Sequence, residues 1–376
     1  MNIECIMFKP MPFNISHKTR RNIFRIIPFG VIWLVVGTLF LFSESVATGN
    51  QNRNPDTDIT LTVPIFIFAS LAVFIVGIVM GIIEMIILER RFSRYSLTKK
   101  IIYKSLIYIG FIIVIIGITY PIAASMELGI PITSGEIWDK ASLFFWSLTF
   151  VSTIVQTSFS IFLCLVYSAV SENLGQHVLF NFFTGKYHQP VVEERIFLFM
   201  DLTSSTAIAE QLGHYTYFGL LDLFYTSMSD AIIDHQGEVY EYIGDEVIVT
   251  WPLKKGVRNG NCIKCFYAIK KAMKSKEGKF MDRYGIFPHF KGDIHVGEVT
   301  TGEIGALKKE IVFTGDVMNT TARIQWLCKT YGSDLLVSGE LRELFIDRED
   351  IQFIERDESE LRGKKKLIKV YECKLN

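Results

Sequence analysis

Four long apolar stretches, Ile26–Phe42, Leu61–Leu88, Ile101–Ser125 and Ala141–Val170, constrain this chain more than any other feature. A helix needs about 20 mostly apolar residues to cross the hydrocarbon core of a bilayer, and each stretch meets or approaches that length. The first part of the chain is therefore predicted to be an α-helical four-span membrane domain, residues 1–170, with the lipid bilayer as its partner. Lys18, Arg20, Arg21 and Arg25 precede the first span, and Arg90, Arg91, Arg94, Lys99 and Lys100 lie between the second and third. The segments Glu44–Thr60 and Met126–Lys140 each carry one basic and three acidic residues. Because positive charge stays on the cytoplasmic side, both termini are expected there, in the inner or plasma membrane. The basic N-terminal stretch resembles the start of a signal peptide, but no small-residue cleavage site follows and further spans do, so it is expected to be retained. Glu84, the main acid within the spans, is expected to face water or a headgroup. The outer loops are too short for a ligand-binding domain, so sensing is left to the spans, to lipid or to a partner. Few polar groups within the spans argue against a transporter or channel.

A junction, residues 171–190, links the two halves; Val178, Leu179, Phe182 and Phe183 give it a partial helical stripe, and Thr184-Gly185-Lys186 reads as a helix stop. It reads equally as a passive linker or as a helix pairing with its copy in a second chain. Residues 191–376 mix charge with apolar periodicity like a soluble domain. The expected strands are Arg195–Met200, the hairpin Glu238–Ile243 with Glu246–Trp251, then Phe290–Val296, Val299–Ile304, Lys309–Phe313, Asp334–Val337 and Lys366–Glu372. The expected helices are one or two within Ser204–His235, then Asn261–Lys276, Val317–Tyr331 and Glu340–Phe345. Strands mixed with packed helices and a hairpin point to an α+β sandwich of the ferredoxin-like kind. The six cysteines are scattered, and the Cys262/Cys265 pair sits on a predicted helix with no partner pair, so reduced thiols are expected. Formal net charge is zero, which gives no overall field for nucleic acid, and no nucleic-acid partner is expected.

Two carboxylates draw the chemistry together. Asp201 follows a buried-strand pattern and precedes a run of small hydroxyl residues suited to a tight turn into a helix; it reads either as a helix cap or as a ligand beside a helix N-terminus. Asp245 lies in a Gly-Asp hairpin turn. A strand and a hairpin can bring two such carboxylates side by side, where they repel unless a cation lies between them. Mg²⁺ takes one or two carboxylates together with substrate phosphates, and two ions can clamp an in-line displacement. Asn319 and Arg323 lie one turn apart on one helix face and can orient a ribose and neutralise a phosphoryl group.

Three motifs, Phe199-Met200-Asp201-Leu202-Thr203-Ser204-Ser205-Thr206, Tyr242-Ile243-Gly244-Asp245 and Thr314-Gly315-Asp316-Val317-Met318-Asn319-Thr320-Thr321-Ala322-Arg323, resemble the class III adenylate/guanylate cyclase catalytic domain of membrane-anchored bacterial type. The resemblance covers roughly Glu193 to Lys374. It implies a homodimer with sites at the interface and conversion of a nucleoside triphosphate, ATP or GTP, to the 3′,5′-cyclic monophosphate and pyrophosphate. It implies two Mg²⁺ or Mn²⁺ per site on Asp201 and Asp245, ribose contact by Asn319 and transition-state contact by Arg323. Lys364, in a basic run that otherwise reads as a solvated turn, is placed like the lysine that contacts the triphosphate, and Leu202 and Thr206 border the substrate. Glu241 and Val312 stand at the base-reading positions, with Thr314 beside them. Adenylate cyclases usually carry Lys and Asp or Thr there, and Glu241 is what a guanine reader would hold. The expected product is cyclic AMP for intracellular signalling, with cyclic GMP as the alternative. A silent, receptor-like domain is the remaining alternative, and the intact Asp201, Asp245, Asn319 and Arg323 argue against it.

Overall fold

The computed structural model describes residues 16–49, 54–92, 95–174, 178–179, 181, 184–360 and 367–376. The chain divides into two compact units, one of residues 19–179 and one built mainly of residues 180–376.

The first unit is helical. Its elements are α1 (His17–Thr48), α2 (Val63–Ile83), α3 (Leu97–Leu128), α4 (Gly135–Phe145) and α5 (Leu148–Leu174). Four helical segments, Lys18–Ala47, Val63–Leu88, Leu97–Leu128 and Leu148–Asn173, are long and apolar enough to cross a membrane. The stretch expected as a single fourth span, Ala141–Val170, is broken at Trp146-Ser147. The reason is local: the Ser147 hydroxyl accepts a hydrogen bond from the Phe150 N–H at 3.1 Å and so caps a new helix. Close helix crossing depends on glycine. A Cβ on Gly77 would lie 2.7 Å from the Phe29 carbonyl oxygen and 2.9 Å from Gly30 Cα, so only glycine lets α1 and α2 meet there.

Glu84 corrects the sequence expectation. It is fully buried, at the start of a π-helical turn, Glu84–Leu88, that continues α2. It forms an ion pair with Lys104 of α3. It also accepts hydrogen bonds from the Tyr108 hydroxyl at 2.8 Å and from the Ser168 hydroxyl of α5 at 3.3 Å. A charge without such partners would be costly in an apolar helix bundle, and the neighbouring helices supply them. Lys104→Met leaves that carboxylate buried and unpaired. It is expected to cost about 3–5 kcal/mol, lowering the thermal midpoint of the full chain in detergent. Adding Glu84→Gln is expected to recover most of the loss.

The second unit is built on an eight-stranded sheet of order β2-β3-β1-β4-β6-β8-β7, with β5 paired to β4. The strands are β1 (Val191–Leu202), β2 (Glu238–Ile243), β3 (Glu246–Pro252), β4 (Phe290–Ile304), β5 (Glu310–Thr314), β6 (Leu335–Ser338), β7 (Ile351–Glu360) and β8 (Leu367–Leu375). The helices used below are α6 (Ser205–Leu212), α7 (His214–Asp234), α8 (Asn261–Lys274), α9 (Glu277–Tyr284) and α10 (Asp316–Tyr331). Alternate residues of β1 serve opposite faces. Ile196, Leu198, Met200 and Leu202 pack with Leu220, Phe224 and Met228 of α7 and Phe266 of α8. Phe197 and Phe199 pack with Ile248, Val299 and Val317 at the start of α10. The fold is the α+β sandwich expected.

Several elements differ from the sequence reading. Residues 290–304 form one strand rather than two, because Gly297, the apparent break, pairs with Arg195 and leaves room for Val317, whose Cγ2 would stand 3.1 Å from an added Cβ. Of the one or two helices expected in Ser204–His235, there are two, split at Gly213 with φ of 71°. Helix α9 and strand β7 were not anticipated; the acidic sequence of β7, an edge strand, masks its alternation. The five cysteines among the described residues are buried free thiols. Of the junction stripe, Phe182 and Phe183 lie outside the described residues.

Candidate active site

Strand β1 runs from fully buried Met200 to half-buried Asp201, and the chain then turns through Thr203 and Ser204 into α6. Ser204, at the N-cap position, has φ of 59° and makes no side-chain capping bond. Its left-handed backbone lets the chain leave the sheet within two residues of the aspartate. Asp245 occupies the two-residue Gly244-Asp245 turn between β2 and β3, where Gly244 takes φ of 65°. The Tyr225 hydroxyl of α7 donates to the Gly244 carbonyl at 2.6 Å, and its ring lies 4.4 Å from that of Tyr242. The hairpin tip is thereby tied to the helix layer.

The two aspartates act on the same neighbours. Burial, then Asp245, then Asp201 among further causes, push up the Tyr225 hydroxyl to about 12 and raise that of Tyr217. Glu246 was not singled out in sequence, although it directly follows Asp245. Burial first, with Asp201 and Asp245, raises its carboxyl to about 7, and the neighbouring Gln325 side chain opposes them. Asp293 of β4, likewise missed, is fully buried, with neither carboxyl oxygen hydrogen-bonded among the described residues. Burial first, then Glu246 and Asp201, hold it well above the usual carboxylate range. An acid inside the expected strand Phe290–Val296 was the signal available for it. One carboxyl oxygen of Asp245, Oδ2, is buried without a hydrogen-bond partner among the described residues. This acidic field fits divalent cations that also bind phosphates. Among the described residues, no three His, Cys, Asp or Glu side chains form a ready metal cage.

Helix α10 begins at Gly315, where a Cβ would stand 2.8 Å from the Glu298 carbonyl oxygen; glycine lets the helix start hard against β4. Val317, Thr320, Thr321 and Ile324 are buried. Asn319 and Ala322 are exposed, Arg323 is half-buried and Trp326 is 68% exposed. The helix thus presents Asn319 and Arg323 away from its buried face.

The positions expected to read the base flank an aromatic contact. Tyr240 of β2 and Phe313 of β5 lie 4.8 Å apart; Glu241, next to the first, is exposed, and Val312, next to the second, is half-buried. A bulge in β2 between Val239 and Glu241 marks the place. Thr314, exposed, ends β5, and Thr206 is exposed in the first turn of α6. Leu202 sends its side chain into the core, at 2% exposure, so only its backbone borders the strand end. Lys364 lies outside the described residues.

Residues 188–373 match the family of the adenylate and guanylate cyclase catalytic domain. These residues belong to the class III cyclase family, and the four apolar helices that precede them are compatible with membrane anchoring. Among curated relatives it is similar to adenylate cyclase 2 of Rhizobium meliloti (strain 1021), 34% identical over 187 residues, covering 48% of this chain and 52% of that protein. It is also similar to the adenylate cyclase of Anabaena cylindrica, 26% identical over 187 residues, 47% of this chain and 36% of that one. The chain thus spans about half or less of the length of these relatives. The solved structure of a bacterial light-regulated adenylyl cyclase shares the fold, with TM-score 0.51 and 18% identity over 61% of this chain and 66% of that chain.

If the acidic field is a cation site, Mn²⁺ should raise the thermal midpoint of the wild-type chain. Asp201→Asn and Asp245→Asn should each remove most of that increase while raising the midpoint measured in chelator. Equal stabilisation by Mn²⁺ in all three proteins would place the cation elsewhere.

Proposed function

We propose that this chain is a membrane-bound adenylate cyclase that converts ATP to 3′,5′-cyclic AMP and pyrophosphate for intracellular signalling. The observation that carries the reading is that Asp201 and Asp245 act on the same tyrosines, in an acidic field at the end of a central strand. Two Mg²⁺ or Mn²⁺ ions, when bound, would make the ribose 3′-OH more acidic and neutralise charge on the phosphates. Asp201 and Asp245 would hold them. In the reaction the 3′-oxygen bonds to the α-phosphorus, the bond from that phosphorus to the bridging oxygen breaks, and the hydroxyl proton leaves. Arg323 would donate hydrogen bonds to the α-phosphoryl oxygens as charge moves toward pyrophosphate. Asn319, one turn earlier, would fix the ribose in line. Thr206 and the backbone at Leu202 would border the triphosphate, with Lys364 contacting it.

Asn319 and Arg323 are assigned to the site of a second copy, so that a homodimer has two equivalent sites. The outward Asn319, Ala322 and Trp326 of α10 support this, since a large exposed aromatic beside functional residues favours a partner surface. The basic residues flanking the apolar helices support a multi-pass arrangement with the catalytic unit in the cytoplasm. The boundaries 1–170, 171–190 and 191–376 remain the assignment for membrane domain, junction and catalytic domain.

ATP is favoured by the adenylate cyclases among the relatives. Glu241 favours a second reading, GTP, because a carboxylate accepts from guanine N1–H and the 2-amino group while Val312 offers no polar contact. Product analysis with Mn²⁺ and either nucleotide separates the two. Glu241→Lys should raise the preference for ATP over GTP, and an unchanged ratio would remove Glu241 from base reading.

Asp201→Asn and Arg323→Ala should each be inactive or nearly so, and any residual activity of Arg323→Ala should show a loss in kcat far exceeding the rise in KM. An equal mixture of the two purified variants, allowed to exchange subunits, should regain about a quarter of wild-type activity. Half the dimers are then mixed, each with one intact site. No recovery would mean that both residues serve one chain's site.

A further inference from the structure

We propose that the helical unit binds one neutral aliphatic alcohol, or a molecule of that chemistry, in a cavity of about 300 Å³ enclosed by α1, α2, α3 and α5. That volume is at the lower end of small-molecule pockets. The space exists because the residues bordering it are small: Gly37 on α1, Ala69 and Ala72 on α2, Ala123 on α3. Trp33, Val76 and Ile112 close one end. The loop at Thr57 and Asp58 stands at the other, pinned by the Tyr120 hydroxyl on the Thr57 carbonyl at 2.6 Å and the Thr149 hydroxyl on Asp58 Oδ1 at 2.8 Å.

One wall is polar. Thr153, Gln156 and Thr157 follow one another along a single face of α5. The Thr153 hydroxyl donates to the Thr149 carbonyl, and that of Thr157 to the Thr153 carbonyl, each at 2.8 Å. Their protons are used, and their lone pairs remain as acceptors. The Gln156 carboxamide has no hydrogen-bond partner among the described residues. It lies about 12 Å along α5 from the start of that helix, within a segment long and apolar enough to cross a membrane. An amide there is costly unless something in the cavity answers it. A hydroxyl does so from both sides, donating to a threonine or to the amide oxygen and accepting from the amide N–H. No Lys, Arg or His lines the cavity among the described residues, so a fatty acid's carboxylate has no counter-charge. Glu44 and Asp58 also line the cavity, and the apolar lining away from them suits an alkyl chain.

The test uses the full chain in phosphatidylcholine nanodiscs and n-decanol carrying a mid-chain diazirine. Photolabelling should be saturable, be displaced by plain n-decanol, and map to the cavity-facing residues of α2 and α5. Ala72→Phe should abolish the saturable part. Ala123→Phe, which fills the space from α3, serves if the first variant fails to fold. Gln156→Leu should weaken binding roughly threefold to tenfold. The diazirine-bearing alkane without the hydroxyl should label weakly. Equal labelling by that alkane would mean that the cavity holds only a lipid tail, and labelling untouched by the filling variants would mean that no such site exists. Either result overturns the proposal.

Discussion

The catalytic unit depends on β1, a strand hydrogen-bonded along both edges and covered on both faces. Each large side chain it buries contributes about 1.5–3 kcal/mol, and six successive residues from Arg195 to Met200 are buried. Such a strand cannot shift its register, because a slip of one residue would exchange its two faces. Its last residues are therefore held in place by the whole core, and Asp201 is one of them. Near it, Glu246 is half-buried and Asp293 fully buried, at an electrostatic cost that the apolar core offsets.

The remaining parts are arranged around this anchor by backbone fit. Gly315 lets α10 start against β4, and Gly297 gives Val317 its room. One helix therefore covers the sheet face beneath Phe197 and Phe199 and turns Asn319 and Arg323 outward. Tyr225 holds the hairpin tip that carries Asp245. Tyr240 packs on Phe313, a contact between strands that are not neighbours in the sheet.

The helical unit follows a related logic in an apolar setting. Gly77 allows two helix backbones to touch, while Glu84, Lys104, Tyr108 and Ser168 form a polar cluster among three helices. Buried among apolar side chains, each of these polar groups is specified by the partner it finds. Gln156 stands out against that background, since its neighbours in the cavity wall do not satisfy it.

Much of this was legible in the sequence. Length and hydropathy marked four crossing helices, and the hairpin at Gly244-Asp245 followed from turn chemistry, because these features are set by local residue type. Asp201, Asp245, Asn319 and Arg323 stood out by motif. The partners did not. The burial of Glu84 against Lys104, the union of residues 290–304 into one strand, the break at Ser147, and the proximity of Glu246 and Asp293 to Asp201 all come from residues distant in sequence or from the packing of a neighbour. Local propensity and periodicity determine which segments form and which side chains carry chemistry. Only tertiary structure decides which charges share a low-dielectric space, because that depends on what each face is packed against.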